Sequence, residues 1–388
     1  MSTDGHWSPA GARAKHGLSL SPDELTKIRE KFPASSSPKE GVFLADGVFE
    51  GGGVLGLAFL GAARCCDEIG IRWKGLAGTS AGAITASLLA AFADIDALEA
   101  IFGGVDFQRF IGEKTNWRIL DFNPNDDLDH PVQMLLRLFV AQQLGQFSSD
   151  PFAQWLGGAL KQAGVDTFKD VSKGDPDRTL KVVVSDLTRG QMLVLPDNLN
   201  GDEQGTFSVA EAVRLSMSIP LFFAPGKLHG DVIVDGGILS NFPVWIFDET
   251  DPTKQPPWPT FGFRLFDEGA GKPMQIESAP DILKAMFKTM MYAHDRHNLS
   301  VSKRTRTINV DVTDVGVSVT QFSLSDLQKD ELYRRGYEST KRYLLDEWSW
   351  EQHLESRGFA GKSSAGVPTP ELGRGRSAGL NLEPDSHL

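Results

Sequence analysis

Between residues 37 and 348 the chain alternates short, nearly continuous apolar runs with longer stretches whose apolar residues recur at helical spacing. GVFLADGVFE (41–50), LKVVVSD (180–186) and DVIVD (231–235) read as strands. LGLAFLGAARCCDEIG (55–70) and AGAITASLLAAFA (81–93) read as helices, the first stopped by Gly70. Strands interleaved with helices predict an α/β domain over 37–348, a three-layer arrangement in which helices flank a central, mostly parallel sheet.

The two ends lack this pattern. Residues 1–36 are polar and rich in Ser, Pro and Gly, and are expected to be flexible apart from one short helix, for which Ser21, Pro22 and Glu24 form a capping-box start. Residues 349–388, which from about Gly358 mix Gly, Ser, Pro and Arg with few large apolar side chains, are expected to be a disordered tail. No internal repeat is found.

With 388 residues, the chain is long enough to bury a substantial core without staples. Its two cysteines, Cys65 and Cys66, are sequence neighbours, and joining them would need a strained vicinal bond. A formal charge of −12 argues against nucleic acid as a partner and against a purely electrostatic grip on anionic lipid. No apolar run approaches the ~18 residues that span a bilayer, and the N-terminus lacks the apolar core of a signal peptide. A cytoplasmic or peripheral-membrane location is expected, with signal-less export left open.

Chemistry enters where the first strand ends. Gly51, Gly52, Gly53 and Gly56 follow it and lead into a helix. Such a loop points free backbone N–H groups at one spot beside a helix N-terminus, and that spot suits an anion. Gly51, Gly53 and Gly56 also fit the dinucleotide fingerprint G-x-G-x-x-G. That fingerprint expects an acidic residue ~20 positions on, at the end of the next strand. WKGLAGTSAG stands there instead, with no carboxylate.

Gly78-Thr79-Ser80-Ala81-Gly82 is G-x-S-x-G, a nucleophile elbow in which serine sits on a sharp turn between strand and helix. A tight Gly/Ser turn of no chemical consequence gives the same five letters. The upstream glycine loop shifts the balance, because acyl transfer needs both a nucleophile and donors for the tetrahedral oxyanion. Serine also needs a base. Asp235 follows an apolar strand and precedes Gly236 and Gly237, an arrangement that also fits an Asp-Gly hairpin turn.

EGGGVLG, GTSAG and DGG stand in the order and rough spacing of the patatin-like phospholipases, and the chain resembles that family. GQFSSDPFAQWL, LKVVVSDLTRGQMLVLP and AVRLSMSIPLFFAP extend the resemblance over roughly residues 40–345. It implies the patatin-like fold and a serine lipid acyl hydrolase, of phospholipase A or lysophospholipase type, acting on phospholipid or another acyl lipid. Carried over by position, it implies a Ser80–Asp235 dyad without histidine and an oxyanion hole from the amides of Gly51, Gly52 and Gly53. Leu55 departs from the pattern, since the family often has Arg or Lys just before the last loop glycine.

No cofactor or metal is expected, for H-x-x-x-H and EF-hand spacings are missing. His294 and His297 follow Asp235, as a Ser-Asp-His order would require, but they belong to an amphipathic helix pattern, DILKAMFKTMMYAHDRHNL. The Met-rich stripe of that run and the nearby Lys284, Lys288, Arg296, Lys303, Arg304 and Arg306 suit either a helix covering the sheet or transient contact with a membrane surface. Residues 106–147 are expected to form helices and loops at the active-site mouth. Outside the enzyme class, a catalytically silent module of the same fold that binds lipid or a protein partner remains the alternative. Lipid head group and any protein activator are not legible.

Overall fold

The computed structural model describes residues 7–112, 145–249, 253–267, 305–317 and 321–359, with isolated positions at Asp251, Ile276, Ala285 and Thr289. Its strands are β1 (Phe43–Phe49), β2 (Ile71–Thr79), β3 (Gly145–Phe147), β4 (Thr179–Asp186), β5 (Gln191–Leu195), β6 (Leu221–Phe223), β7 (Gly226–Leu228), β8 (Asp231–Asp235), β9 (Thr260–Phe266) and β10 (Thr307–Asp311). Eight of them form one sheet in the order β10-β9-β1-β2-β4-β8-β7, with β5 also on β4, while β3 and β6 pair separately. From β10 through β4 the pairings are parallel, and β5, β8 and β7 join antiparallel. The sheet is flanked by helices, as the alternating pattern predicts; it is mixed, parallel from β10 to β4 and antiparallel beyond, where a mostly parallel sheet is expected.

Central strands buried on both faces read as continuous apolar runs, and β1 and β4 do so for this reason. One face of the sheet enters the main core through Leu76, Val182 and Val184. The opposite face, with Val48, Ala77 and Val183, is covered by Trp245, Ile246 and Phe247.

Helices α1 (Pro9–His16) and α2 (Pro22–Arg29) precede the sheet, and α3 (Ala58–Ile69), α4 (Ala81–Ala91) and α5 (Ile95–Gly103) follow β1 and β2. α6 (Asp150–Gln162), α7 (Val209–Ser216), α8 (Asp326–Arg342) and α9 (Trp350–Ser356) complete the set used below. α3 and α8 cross closely because Gly61 and Gly336 each lie where a Cβ would strike the other helix's backbone. Larger residues there would force the helices apart.

The described parts of the two terminal segments, residues 7–36 and 349–359, correct the expectation of flexibility. The Ser21–Glu24 capping box forms on α2, with Ser21 N–H donating to Glu24 Oε2 at 2.8 Å. A second helix, α1, precedes it, and Trp7, Ala12, Leu18, Ile28 and Phe32 join the core. Lys341 pairs with Glu24 at 2.8 Å, and Lys31 Nζ donates to the carbonyls of Leu344 and Leu345 at 2.8 and 2.6 Å. A few apolar side chains at the right turns suffice to dock a polar segment, and composition averaged over 36 residues hides them. At the other end α9, capped by Ser349 and burying His353, lies within the stretch expected to be disordered. No helix among the described residues is long and apolar enough to cross a membrane.

Candidate active site

Ser80 caps α4 directly after β2, with φ at +53°, a left-handed conformation that costs energy for any residue with a Cβ. Its backbone N–H donates to Ser216 Oγ at 2.9 Å, and the Ser216 hydroxyl donates to the carbonyl of Val183 at 2.6 Å. Thr79 Oγ1 donates to the Ser240 carbonyl at 2.9 Å, holding the other side of the turn. The motif's glycines are required by packing. A Cβ on Gly78 would run into Gly82, and one on Gly82 would run into the carbonyl of Phe49. A Cβ on Gly56 would crowd Ala81.

Sheet register brings Asp235 to Ser80. Val183 of β4 pairs with Thr79, and the next residue, Val184, pairs with Asp235 at the end of β8. Gly236 passes so near Val183 that a Cβ would strike its carbonyl. Asp235 is 1% exposed; its carboxylate accepts a hydrogen bond at 2.7 Å from the Gly237 N–H, and the Ser80 hydroxyl lies near enough to act on it as a second donor. Burial pushes its pKa up to about 6, against the pull of those two donors, which favour the ionised form.

The glycine loop corrects one expectation. Gly51 is not a free donor: its N–H is taken by the Asn241 carbonyl at 3.0 Å, and Asn241 Nδ2 returns a bond to the Gly51 carbonyl at 3.1 Å. This clamp lies too close for any side chain on Gly51. Among the described residues, the N–H groups of Gly52 and Gly53 have no backbone acceptor. Gly53 sits at φ +55°, and Leu265 fills the space a Cβ on Gly52 would need. Leu55 packs against the core, so no cation stands at that position. Glu50, just before the loop, accepts from the Leu265 N–H at 2.6 Å and lies 3.6 Å from Arg264, fixing the loop to β9.

A pocket of about 620 Å³, counting space open to solvent, extends from Ser80. Ala81, Ile84 and Thr85 line it at helical spacing along α4, and Phe110, Phe152, Trp155, Phe223 and Phe322 supply aromatic walls. Thr85 Oγ1 donates to the Ala81 carbonyl at 3.3 Å, so it offers the cavity little polarity. The apolar lining suits an apolar ligand.

Ser216 and Asn241 were not singled out in the sequence. Ser216 lies in AVRLSMSIP and Asn241 six residues after Asp235, but single polar residues carry no spacing signal of their own. Replacing Ser216 by Ala should strand the buried Ser80 N–H, at a cost of about 1–3 kcal/mol. Thermal denaturation beside Ser218→Ala checks this, since the Ser218 hydroxyl bonds only its own helix at the Arg214 carbonyl.

His294 and His297 lie outside the described residues, as do residues 113–144 and all but Ala285 and Thr289 of the Met-rich run. Of the basic residues expected around that run, Arg306 is described, and it is buried against Asp248 at 2.5 and 2.8 Å and not free to meet lipid. The first described part of the 106–147 stretch, Phe107–Phe110, forms a short helical turn at the pocket.

The family description Patatin-like phospholipase matches residues 47–248, just over half of the chain, and the protein belongs to the patatin-like phospholipase family. An uncharacterized protein of Bacillus subtilis (strain 168), YqhO, is 35% identical over 312 residues, 79% of this chain and 99% of its own. An uncharacterized NTE family protein of Mycobacterium tuberculosis (strain CDC 1551 / Oshkosh), MT2641, is 30% identical over 199 residues, covering 50% of this chain and 27% of its own. Among solved structures, VipD from Legionella pneumophila aligns with a TM-score of 0.47 at 19% identity, covering 78% of this chain and 67% of that one.

Proposed function

We propose that the protein is a serine lipid acyl hydrolase in which Ser80 attacks a fatty acyl ester and Asp235 is the general base. The observation that carries this reading is a fully buried carboxylate of raised pKa that sheet register sets beside Ser80, at one end of an aromatic pocket. An ordinary aspartate is too weak a base for serine, and desolvation is what strengthens it.

The reaction would begin with Ser80 Oγ attacking the ester carbonyl as Asp235 takes its proton. The Gly52 and Gly53 amides, together with the N-terminal end of α4, would hold the developing oxyanion. Passing the proton to the departing alkoxide releases the alcohol and leaves an acyl-serine. Water, deprotonated by Asp235, then frees the fatty acid and restores the hydroxyl. The apolar pocket suits the acyl chain, and its lining among the described residues carries no charged side chain, so the head group would remain at the mouth.

A fluorophosphonate probe should label the wild-type protein and leave Ser80→Ala unlabelled, with peptide mass spectrometry placing the adduct on Ser80. Lipid-product mass spectrometry on phosphatidylcholine should show free fatty acid from wild type alone. An adduct on another serine, or equal fatty-acid release by Ser80→Ala, would refute the assignment. His294→Ala and His297→Ala, singly and together, should keep most of the activity on a soluble ester, because neither is needed to move the proton.

A further inference from the structure

The described residues include four large apolar side chains that stand substantially exposed: Leu187, Phe266, Ile276 and Leu327. Ile276 has no described neighbours, but the other three can be placed by register, and all fall on one edge of the molecule. Phe263 pairs with Phe49, and Phe49 with Gly78. Phe266, three residues further along the same strand direction, therefore stands about 10 Å beyond the level of Gly78. Val183 pairs with Thr79, so Leu187 stands about 13 Å beyond Thr79 on the other side of the elbow. Asp311 pairs with Phe266, and the loop after it is tied to α8: Arg335 donates to the carbonyls of Asp311 and Thr313, and Gln328 to that of Gly316 at 3.3 Å. Those bonds bring the start of α8, with Leu327, to the same edge.

This is the edge at which β2 delivers Ser80. Side chains 44–72% exposed bracket the elbow on both sides; singly exposed apolar residues are ordinary on a protein surface, and it is their gathering at one edge that calls for a reason. We propose that Leu187, Phe266 and Leu327 are the anchors by which the protein docks on a phospholipid bilayer, setting the Ser80 edge against the lipid surface. The inference rests on the lipid substrate proposed above, since a hydrolase of insoluble esters must meet them at an interface. A net charge of −12 leaves apolar insertion, and not attraction to anionic head groups, as the adhesive force.

The test is cosedimentation of the full chain with phosphatidylcholine vesicles at 0.15 and 0.5 M NaCl. Wild type and Ser80→Ala should bind alike, with little effect of salt. The triple variant Leu187→Asp, Phe266→Asp, Leu327→Asp should bind at least about tenfold more weakly, since burying one Leu or Phe is worth about that factor. It should still hydrolyse a soluble short-chain ester at the wild-type rate, and where no ester hydrolysis exists in either protein, unchanged circular dichroism takes its place. Loss of vesicle binding with Ser80 chemistry absent would support docking while removing the proposed reaction. Wild type failing to bind, binding lost at 0.5 M NaCl, or a triple variant that binds like wild type would each overturn the proposal. So would a wild-type dimer that the triple variant turns into a monomer without changing vesicle binding.

Discussion

Replacing Asp235 with Asn should lower kcat on a soluble ester by about a thousandfold or more, within the range that loss of a general base produces. The amide keeps the size and an oxygen to accept from Gly237, but it cannot take the Ser80 proton. With Asp235 as the proposed base, active when ionised and with a pKa of about 6, wild-type kcat/KM should rise about tenfold per pH unit below pH 6 and level off above it. The variant should lose that acid limb together with its rate. A folded His294→Ala, His297→Ala double variant as inactive as Ser80→Ala would transfer the role of base to histidine and reduce Asp235 to an orienting group.

The same substitution should make the protein more stable at neutral and alkaline pH. Asp235 ionises at about 6 in the folded chain, against 3.8 for the free side chain. Above pH 6 both the folded and unfolded states carry the charge, and folding bears the full cost of burying it. Below about pH 4 both are protonated and that cost disappears. A shift of this size corresponds to about 3 kcal/mol. Asp235→Asn should recover up to that amount at pH 8, less whatever the new amide N–H groups lose by burial, and the gain should shrink as pH falls from 6 to 4. Denaturant melts of both proteins at pH 8 and pH 4 measure it. A variant less stable than wild type at pH 8 would show that the carboxylate is no burden to the fold.

The strand and helix pattern around Ser80 was readable because the chemistry there is local. Gly78, Ser80 and Gly82 lie within five residues, and their spacing alone describes a strand, a turn and a helix. Asp235 is marked in the sequence by its place after a strand, but its approach to Ser80 depends on the pairing of both β2 and β8 with β4, which no short window contains. The Gly51 amide was misjudged for a related reason: Asn241, its acceptor, is brought back by a distant loop. In the N-terminal segment the docking residues Trp7, Ile28 and Phe32 are too few to change a composition dominated by polar residues. Long-range partners, not local propensities, decided each of these points.

The region matched by the family ends at residue 248, yet β1 does not end its pairing there. Its second neighbour, β9, comes from Thr260–Phe266, and β10 and α8 lie beyond that. A fragment limited to residues 47–248 would keep only Gly47–Phe49 of β1 and would leave that remnant without β9 and β10 beside it. It would also lose the Leu265 N–H that holds Glu50 and the Leu265 side chain that packs on Gly52. The portable unit of this enzyme is therefore larger than its recognisable signature, and grafting or trimming it at the edges of that signature would remove the support on which the glycine loop stands.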